Sequence, residues 1–138
     1  MADREDWNAR IIEEFRANDG RVGGPFEGAP LLLLSTTGAR TGKTRVNPLM
    51  YLADGDRLVV FASKGGAPTH PDWYHNVVAN ADASVEVGKE HFPVRATVAT
   101  GGERDELFAE QAKRYPQFAE YETKTERTIP VIVLERAG

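Results

Sequence analysis

The segment from residue 31 onward most constrains the fold, because short apolar runs alternate there with tight turns. The runs "LLLLST", "TRVNPLMYLA" and "LVVFAS" are separated only by "GARTGK" and "DGDR". Further on, "ASVEVGKEHFPVRATVAT" alternates as two strands about a Gly88-Lys89 turn. "RTIPVIVLER" predicts a closing strand, with Pro130 indicating a sheet edge or a bulge. Strands joined by short turns favour an antiparallel sheet that closes into a small barrel over a doubly wound sheet.

Three helices are predicted around these six or so strands, which makes the fold class α+β. "DREDWNARIIEEFRAN" carries an apolar stripe at helical spacing, "DWYHNVVAN" is a short helix capped by Asp72, and "GERDELFAEQAKRY" ends near Pro116. A chain of 138 residues fits one domain. We expect a single domain over residues 1–138, with an N-terminal helix and loop over 5–30 and a barrel core over 31–135. The loop "DGRVGGPFEGAP" either covers a pocket mouth or merely connects.

Composition excludes several classes of function. The chain has no cysteine, which removes disulfides, thiolate metal sites and cysteine nucleophiles. A net charge of −4 argues against nucleic acid as a partner. His70, His75 and His91 lack metal-ligand spacing, so no metal site is predicted. We find no apolar run of about 20 residues and no signal peptide, and we expect a cytoplasmic protein without membrane insertion, monomeric or at most a weak homodimer.

The stretch "TTGARTGKT", residues 36–44, resembles a nucleotide-binding loop only superficially. The phosphate-binding pattern of nucleotide hydrolases places a glycine at the position that Thr37 occupies here. Pro48 and the strand-like "VNPLMYL" also argue against the helix that such a loop opens. The segment between Glu27 and Asp54 nevertheless contains cations and no acid. It therefore predicts a site for a small anion, although charge alone leaves a solvated basic loop open.

Three other segments carry polar or aromatic side chains suited to a ligand. "FASKGG" ends a strand with donors and two glycines, "PDWYHN" supplies two aromatic rings, and "RYPQFAEY" spaces three aromatic residues by three. Each also has a purely structural explanation, since Trp73 and Phe118 are ordinary core residues and Ser63 is suited to closing a turn. Together with the cationic segment, they predict an anionic ligand with a large planar ring.

These segments resemble the deazaflavin-dependent nitroreductase family. The resemblance runs from about Ile11 to Leu134, through "GARTGKTRVNP", "ASKGG", "WYHN" and the terminal "TERTIPVIVLE". It implies an FMN-binding-like split β-barrel that uses the 8-hydroxy-5-deazaflavin coenzyme F420, which carries a phosphodiester and an oligoglutamate tail. The N-terminal part is most similar to the soluble subgroup of the family, which includes reductases of unsaturated lactones and coumarin-like compounds.

The resemblance also implies which residues contact the coenzyme. They are Arg40, Thr41, Arg45, Val46, Asn47, Pro48, Leu49, Met50, Phe61, Ala62, Ser63, Lys64, Asp72, Trp73, Tyr74, His75 and Asn76, with Phe118 in the later helix. Lys43 is added from its charge and proximity alone. Met50 and Phe118 stand where the nitroreductase pattern has tyrosine, which leaves nitroimidazole reduction open. Tyr115 and Tyr121 are retained.

The resemblance implies a reductase that passes hydride to a flat, conjugated small-molecule acceptor. Quinones, α,β-unsaturated lactones or coumarin-like compounds, and nitroaromatics are the acceptor classes. Tyr121, Tyr115 or Ser63 is the expected donor to the oxygen that becomes negatively charged. An FMN-binding split-barrel oxidoreductase and a non-catalytic carrier of F420 are the alternatives.

Overall fold

The computed structural model describes residues 4–23, 30–67 and 69–137, with the side chains of residues 4–7 and 65 excluded. The strands are β1 (Leu31–Thr37), β2 (Thr44–Asp54), β3 (Arg57–Phe61), β4 (Asp82–Val87), β5 (Glu90–Val98) and β6 (Val131–Arg136). The helices are α1 (Arg4–Ala17), α2 (Asp72–Ala79), α3 (Gly101–Arg114) and α4 (Gln117–Lys124), with a 3-10 turn at Lys64–Gly66. Residues 24–29 lie outside the described residues, and with them the middle of the loop predicted to cover a pocket or to connect.

The six strands form a closed barrel in the order β1-β2-β3-β6-β5-β4, and every described pair is antiparallel. The predicted α+β class, strand number and barrel closure are confirmed. The expectation that Pro130 marks a sheet edge or bulge was wrong. β6 begins at Val131 and pairs continuously with β3 and β5, so Pro130 precedes the ladder. Its carbonyl accepts the Ala62 N–H at 3.0 Å.

Strand alternation divides the apolar residues between the barrel interior and two outer layers. Leu32 and Leu34 of β1 point into the barrel and are fully buried. Trp73 and Val77 of α2 belong to the same interior cluster, so α2 closes one end of the barrel. On the outside, α1 covers Leu31 and Leu33, whereas α3 and α4 cover the outward residues of β3 and β6. Each fully buried leucine stabilises the fold by about 1.5–3 kcal/mol.

The helices differ from the prediction at two proline-containing boundaries. Four α-helices are present where three were predicted, because Pro116 ends α3 and also begins α4, with a φ of −56° that suits a helix start. The cap of α2 is Pro71, and Asp72 is the first residue inside the helix without a capping hydrogen bond. The prediction that Asp72 caps α2 was therefore wrong. Its carboxylate instead lies in the first turn, where it complements the helix dipole.

Candidate functional site

An open groove of about 1060 Å³ lies between α1, the β1–β2 loop and the start of α2. We call it the cationic groove. It is lined by Asn8, Ala9, Ile12, Gly38, Ala39, Arg40, Thr41, Thr44, Arg45, Val46, Asn47, Asp72, His75 and Asn76. The structure thus brings together eight of the residues predicted to contact the coenzyme: Arg40, Thr41, Arg45, Val46, Asn47, Asp72, His75 and Asn76.

The β1–β2 connection, residues Gly38–Lys43, is a closed loop that leaves main-chain donors free; we call it the anion loop. The Gly38 N–H donates to the Lys43 carbonyl at 2.7 Å, and the Gly42 N–H donates to the Gly38 carbonyl at 2.9 Å. The Lys43 N–H donates to the Thr41 Oγ1 at 3.2 Å, so the Thr41 hydroxyl proton remains available. Within the described part of the chain, the N–H groups of Arg40 and Thr41 have no protein acceptor. Adjacent free N–H groups in such a turn are suited to an anion.

Gly38 is required where it stands. A Cβ at this position would lie 2.8 Å from the Thr41 Oγ1 and 3.1 Å from the Lys43 carbonyl oxygen. Any side chain would therefore push apart the hydrogen bonds that close the anion loop. The glycine is explained by this close approach rather than by a nucleotide-hydrolase pattern.

Asn76 of α2 holds the anion loop in place. Its Oδ1 accepts the Ala39 N–H at 2.9 Å, and its Nδ2 donates to the Thr36 Oγ1 at 3.1 Å. The residue is 7% exposed and Thr36 is 2% exposed, so the pair is shielded from water. Both ends of the amide are used within the protein, which indicates that Asn76 positions the loop; a direct contact with the coenzyme stays a prediction.

The charge of the groove is not neutralised by the protein. Arg40, Lys43 and Arg45 are exposed, and none makes an ion pair within the residues that the structure describes. Lys43 lies on the anion loop but outside the groove lining. Asp72, on the opposite wall, is the one acid among the described residues of that lining. The two unpaired arginines of the lining, with Lys43 next to them on the anion loop, lie beside free N–H groups. This arrangement favours a phosphate or carboxylate ligand.

The predicted run Arg45–Met50 is divided between the two faces of β2. Leu49 packs into the barrel interior, whereas Val46 and Met50 pack on the outside beneath α1. Met50 also packs against the outer cluster, as Tyr115 and Tyr121 do. The outward row Val46, Pro48 and Met50 therefore leads from the cationic groove toward this cluster. Val46 and Met50 are four residues apart along β2, which corresponds to about 13 Å.

A second group of predicted residues lies at the far end of this row. Gly66 is pressed against α4: a Cβ there would lie 3.1 Å from the Tyr121 carbonyl oxygen. Ser63, 8% exposed, begins the 3-10 turn, so its segment lies beside the helix that carries Tyr121. The Lys64 Nζ donates to the Thr69 Oγ1 at 3.3 Å. The backbone of the Ser63 segment thus lies against α4, and the catalytic roles of Ser63, Tyr115 and Tyr121 stay predictions.

Several residues predicted to contact the coenzyme are buried in the apolar core. Trp73 belongs to the barrel interior, and Phe61 and Phe118 meet edge to face at 5.7 Å in the outer cluster. Ala62 is fully buried. Tyr74 is partly buried against the interior cluster and lies 4.7 Å from the His70 ring. Trp73 and Phe118 therefore lie in the apolar core, as expected of ordinary core residues. A contact between either ring and the coenzyme stays a prediction.

Three features of the site were not predicted from the sequence. Asn8 and Ile12, one helical turn apart on α1, line the cationic groove. Thr36 anchors Asn76. Arg127, between α4 and β6, donates four hydrogen bonds to the segment from Ala62 to His70. Each of these contacts joins segments far apart in sequence, where local patterns carry no information.

Comparison with known proteins gives one consistent family. The profile of the family "F420H(2)-dependent quinone reductase" matches residues 7–136. The F420H(2)-dependent quinone reductase Rv1261c of Mycobacterium tuberculosis is 42% identical over 129 residues, which cover 88% of this chain and 85% of that protein. The putative F420H(2)-dependent quinone reductase Rv3178 of the same organism is 38% identical, covering 83% and 97%.

Solved structures agree with this similarity. The F420-H2 dependent reductase FDR-A superposes with a TM-score of 0.71 at 44% identity, covering 77% of this chain and 94% of that one. A protein described as a domain-swapped dimer gives a TM-score of 0.73 at 39% identity, covering 96% and 100%. The haem storage protein HutZ of Vibrio cholerae, at 14% identity and a TM-score of 0.62, shares the fold alone, covering 92% and 88%.

Proposed function

Because this chain belongs to the F420H(2)-dependent quinone reductase family, we propose that it reduces a quinone with electrons from reduced coenzyme F420. The observation that carries the proposal is the cationic groove. Its unpaired arginines and the free N–H groups of the anion loop suit the phosphodiester of this coenzyme. Lys43, exposed at the rim, suits the carboxylates of the oligoglutamate tail. The residues present therefore fit the coenzyme.

We assign the ring position to the outward face of β2. The row Val46, Pro48 and Met50 leaves the cationic groove and ends at the outer cluster with Tyr115 and Tyr121. This surface is apolar, and α1 flanks it through Ile12. Such a surface binds a planar ring by apolar contact and excludes water from one of its faces.

The protein's own contribution to the reaction is positioning and proton supply. When bound, the reduced coenzyme supplies the hydride from C5 of its deazaflavin. The barrel and α4 would hold the acceptor beside the coenzyme, and this positioning would account for much of the expected rate gain. Tyr121 is our first choice as donor to the acceptor oxygen, with Tyr115 and Ser63 next. Tyr121 is only partly buried, so solvent can reprotonate its hydroxyl.

Met50 and Phe118 favour apolar acceptors. Both side chains pack in the outer cluster around the proposed acceptor site, and neither offers a hydrogen-bond donor. A quinone or a coumarin-like lactone needs one donor at its carbonyl oxygen, whereas a nitro group spreads developing charge over two oxygens. We therefore propose quinones first, unsaturated lactones second and nitroaromatics last.

The test is anaerobic oxidation of reduced F420 by the purified protein, followed by the returning absorbance of the oxidised coenzyme. A benzoquinone, a naphthoquinone, a coumarin and a nitroimidazole serve as acceptors, with reduced FMN run in parallel. Quinone-dependent oxidation of reduced F420 supports the proposal. Tight F420 binding without oxidation by any acceptor supports the carrier alternative, and turnover with FMN alone supports the flavin alternative.

We propose that the working unit is a monomer. The site described above is built from one chain, with α1 lining the same groove as the anion loop. The relative described as a domain-swapped dimer shows that an exchanged form exists at 39% identity. Sedimentation analysis with and without F420 distinguishes the two states.

A further inference from the structure

Arg127 makes an unusually complete set of contacts for a residue outside any helix or strand. Its Nε donates to the Ala67 carbonyl at 2.9 Å, and its Nη2 donates to the Ser63 carbonyl at 2.8 Å. Its Nη1 donates to the Ala62 carbonyl at 3.1 Å and to the Nδ1 of His70 at 2.9 Å. One guanidinium thus holds both ends of the segment Ala62–Ala67, which we call the Ser63 turn.

All four acceptors are neutral. Within the described ranges, Arg127 makes no ion pair. Arg104, which contacts the Ile129 carbonyl just before β6, pairs instead with Asp105 and Glu122. Burial lowers the pKa of Arg127. Because a guanidinium only donates, His70 must present an unprotonated Nδ1 to complete the set. The contact therefore exists only with neutral His70.

The surroundings of His70 oppose its protonation. The pKa of His70 is lowered by burial first, then by Arg127 and by His75. Its ring packs against Tyr74 at 4.7 Å and lies 5.9 Å from His75. No carboxylate hydrogen-bonds to it in the part of the chain that the structure describes. A protonated His70 would be repelled by the positive charge of Arg127, because no carboxylate contacts its ring in the described part of the chain to offset that repulsion.

The Ser63 turn needs this support, since it is strained and lies against α4. Lys64 has a φ of 49°, a conformation that a residue with a side chain holds only when its surroundings impose it. Gly66 lies close to the Tyr121 carbonyl, so the backbone of the turn packs directly against the backbone of α4 at the tyrosine. Displacing the turn therefore changes where Ser63 lies relative to Tyr121.

We propose that Arg127 is a positioning residue for the reduction, fixing the Ser63 turn against α4 as long as His70 is neutral. The inference rests on the proposed function, because it places the Ser63 turn at the acceptor site. The cationic groove, which carries the proposed phosphate contacts, lies on other segments, so most of the coenzyme affinity does not depend on the Ser63 turn. Loss of the contacts should therefore lower turnover far more than coenzyme affinity.

The variant Arg127→Lys keeps the charge but cannot make the four contacts at once. Arg104→Lys is the matched control, since Arg104 donates two hydrogen bonds to the Ile129 carbonyl but none to the Ser63 turn. In the coenzyme-free protein, hydrogen exchange over residues 62–70 should accelerate about tenfold or more in Arg127→Lys only. With quinone as acceptor, kcat should fall at least about tenfold while the F420 dissociation constant stays within about twofold.

A second variant isolates the role of the imidazole. His70→Asn places an amide oxygen where the Nδ1 acceptor lies and removes the titrating ring. In the wild-type protein, protection of residues 62–70, corrected for the intrinsic pH dependence of amide exchange, should decrease and kcat should fall as pH is lowered and His70 gains its proton. His70→Asn should lose that dependence at both readouts.

The outcomes separate the two claims. Equal exchange and equal kcat in Arg127→Lys and the wild-type protein would overturn this inference while leaving the proposed function intact. Absence of quinone-dependent oxidation in the wild-type protein would overturn the proposed function and, with it, the link to catalysis. A pH dependence retained in His70→Asn would overturn the role assigned to the imidazole.

Discussion

Removing the Asn76 side chain is the sharpest perturbation of the anion loop. The variant Asn76→Ala deletes the acceptor of the Ala39 N–H and the donor to the Thr36 Oγ1, at 2.9 and 3.1 Å. No charge is changed and no groove cation is touched. Any loss of coenzyme affinity therefore reports the polar contacts of Asn76, with the loop or with the coenzyme, and not a change in the charge of the groove.

The size of the effect follows from burial. Each hydrogen bond contributes about 1 kcal/mol net, and a buried group left without a partner costs more. Ala39 is exposed, so water replaces its lost acceptor, whereas Thr36 is 2% exposed and water does not reach it. We expect the free energy of unfolding to fall by about 2–3 kcal/mol. Releasing the anion loop at Ala39 should weaken coenzyme binding about tenfold or more, since the order of the loop backbone must then be regained on binding.

Urea denaturation and an F420 titration measure the two quantities on the same protein. A loss of 2–3 kcal/mol lowers the urea midpoint by roughly 1–2 M. The matched control is Asn80→Ala, which removes one exposed hydrogen bond at the other end of α2, from the Asp82 N–H to the Asn80 Oδ1 at 3.1 Å. An Asn76→Ala protein as stable and as tight-binding as the control would refute the assignment of Asn76 as the anchor.

Three further predictions concern other parts of the molecule. Tyr121→Phe should lower kcat by about 100-fold with F420 affinity unchanged if it donates the proton, and unchanged turnover removes it from the mechanism. Gly66→Ala, at a φ of 85° with a Cβ only 3.1 Å from the Tyr121 carbonyl oxygen, should destabilise the protein by at least about 1 kcal/mol in a thermal melt, while Gly102→Ala, with open space around it, should not. The hydrogen bond from Arg16 lowers the pKa of Glu86 below 4.5, so its stabilisation is present above that pH and lost as pH falls through the folded pKa. Because Arg16 is 53% exposed, Arg16→Gln should remove less than about 1 kcal/mol near pH 7 and nothing once Glu86 is protonated; an equal loss at both pH values would contradict the pairing.

The barrel was predictable from the sequence because its information is local. Short apolar runs or period-two alternation mark the strands, and turn glycines mark the hairpins; Gly55 and Gly88 take the positive φ values, 60° and 57°, that such turns require. The start of α4 at Pro116 and the place of Pro130 ahead of β6 were not predicted, for the opposite reason. A proline ends one element and starts another according to its neighbours in space, which the sequence alone does not supply.

The site was only partly predictable. The cationic segment and its glycines are contiguous, and the anion loop occurs where the sequence places it. Asn76 and Arg127 act across 37–40 and 57–65 residues of sequence, so their partners follow from the barrel and not from a motif. The run Arg45–Met50 divides between two faces of β2, which the pleat dictates once the register is known.

The most direct test of the account is a titration of the coenzyme-free protein with F420, with FMN run alongside. Fluorescence anisotropy of the coenzyme is the readout. Arg45→Ala removes one groove cation, and Arg95→Ala removes an exposed arginine from β5, outside the groove lining. We predict saturable binding of F420 in preference to FMN, weakened about 10- to 100-fold by Arg45→Ala and unchanged by Arg95→Ala. Preference for FMN, or equal affinity in both variants, would contradict the assignment of the cationic groove as the F420 site.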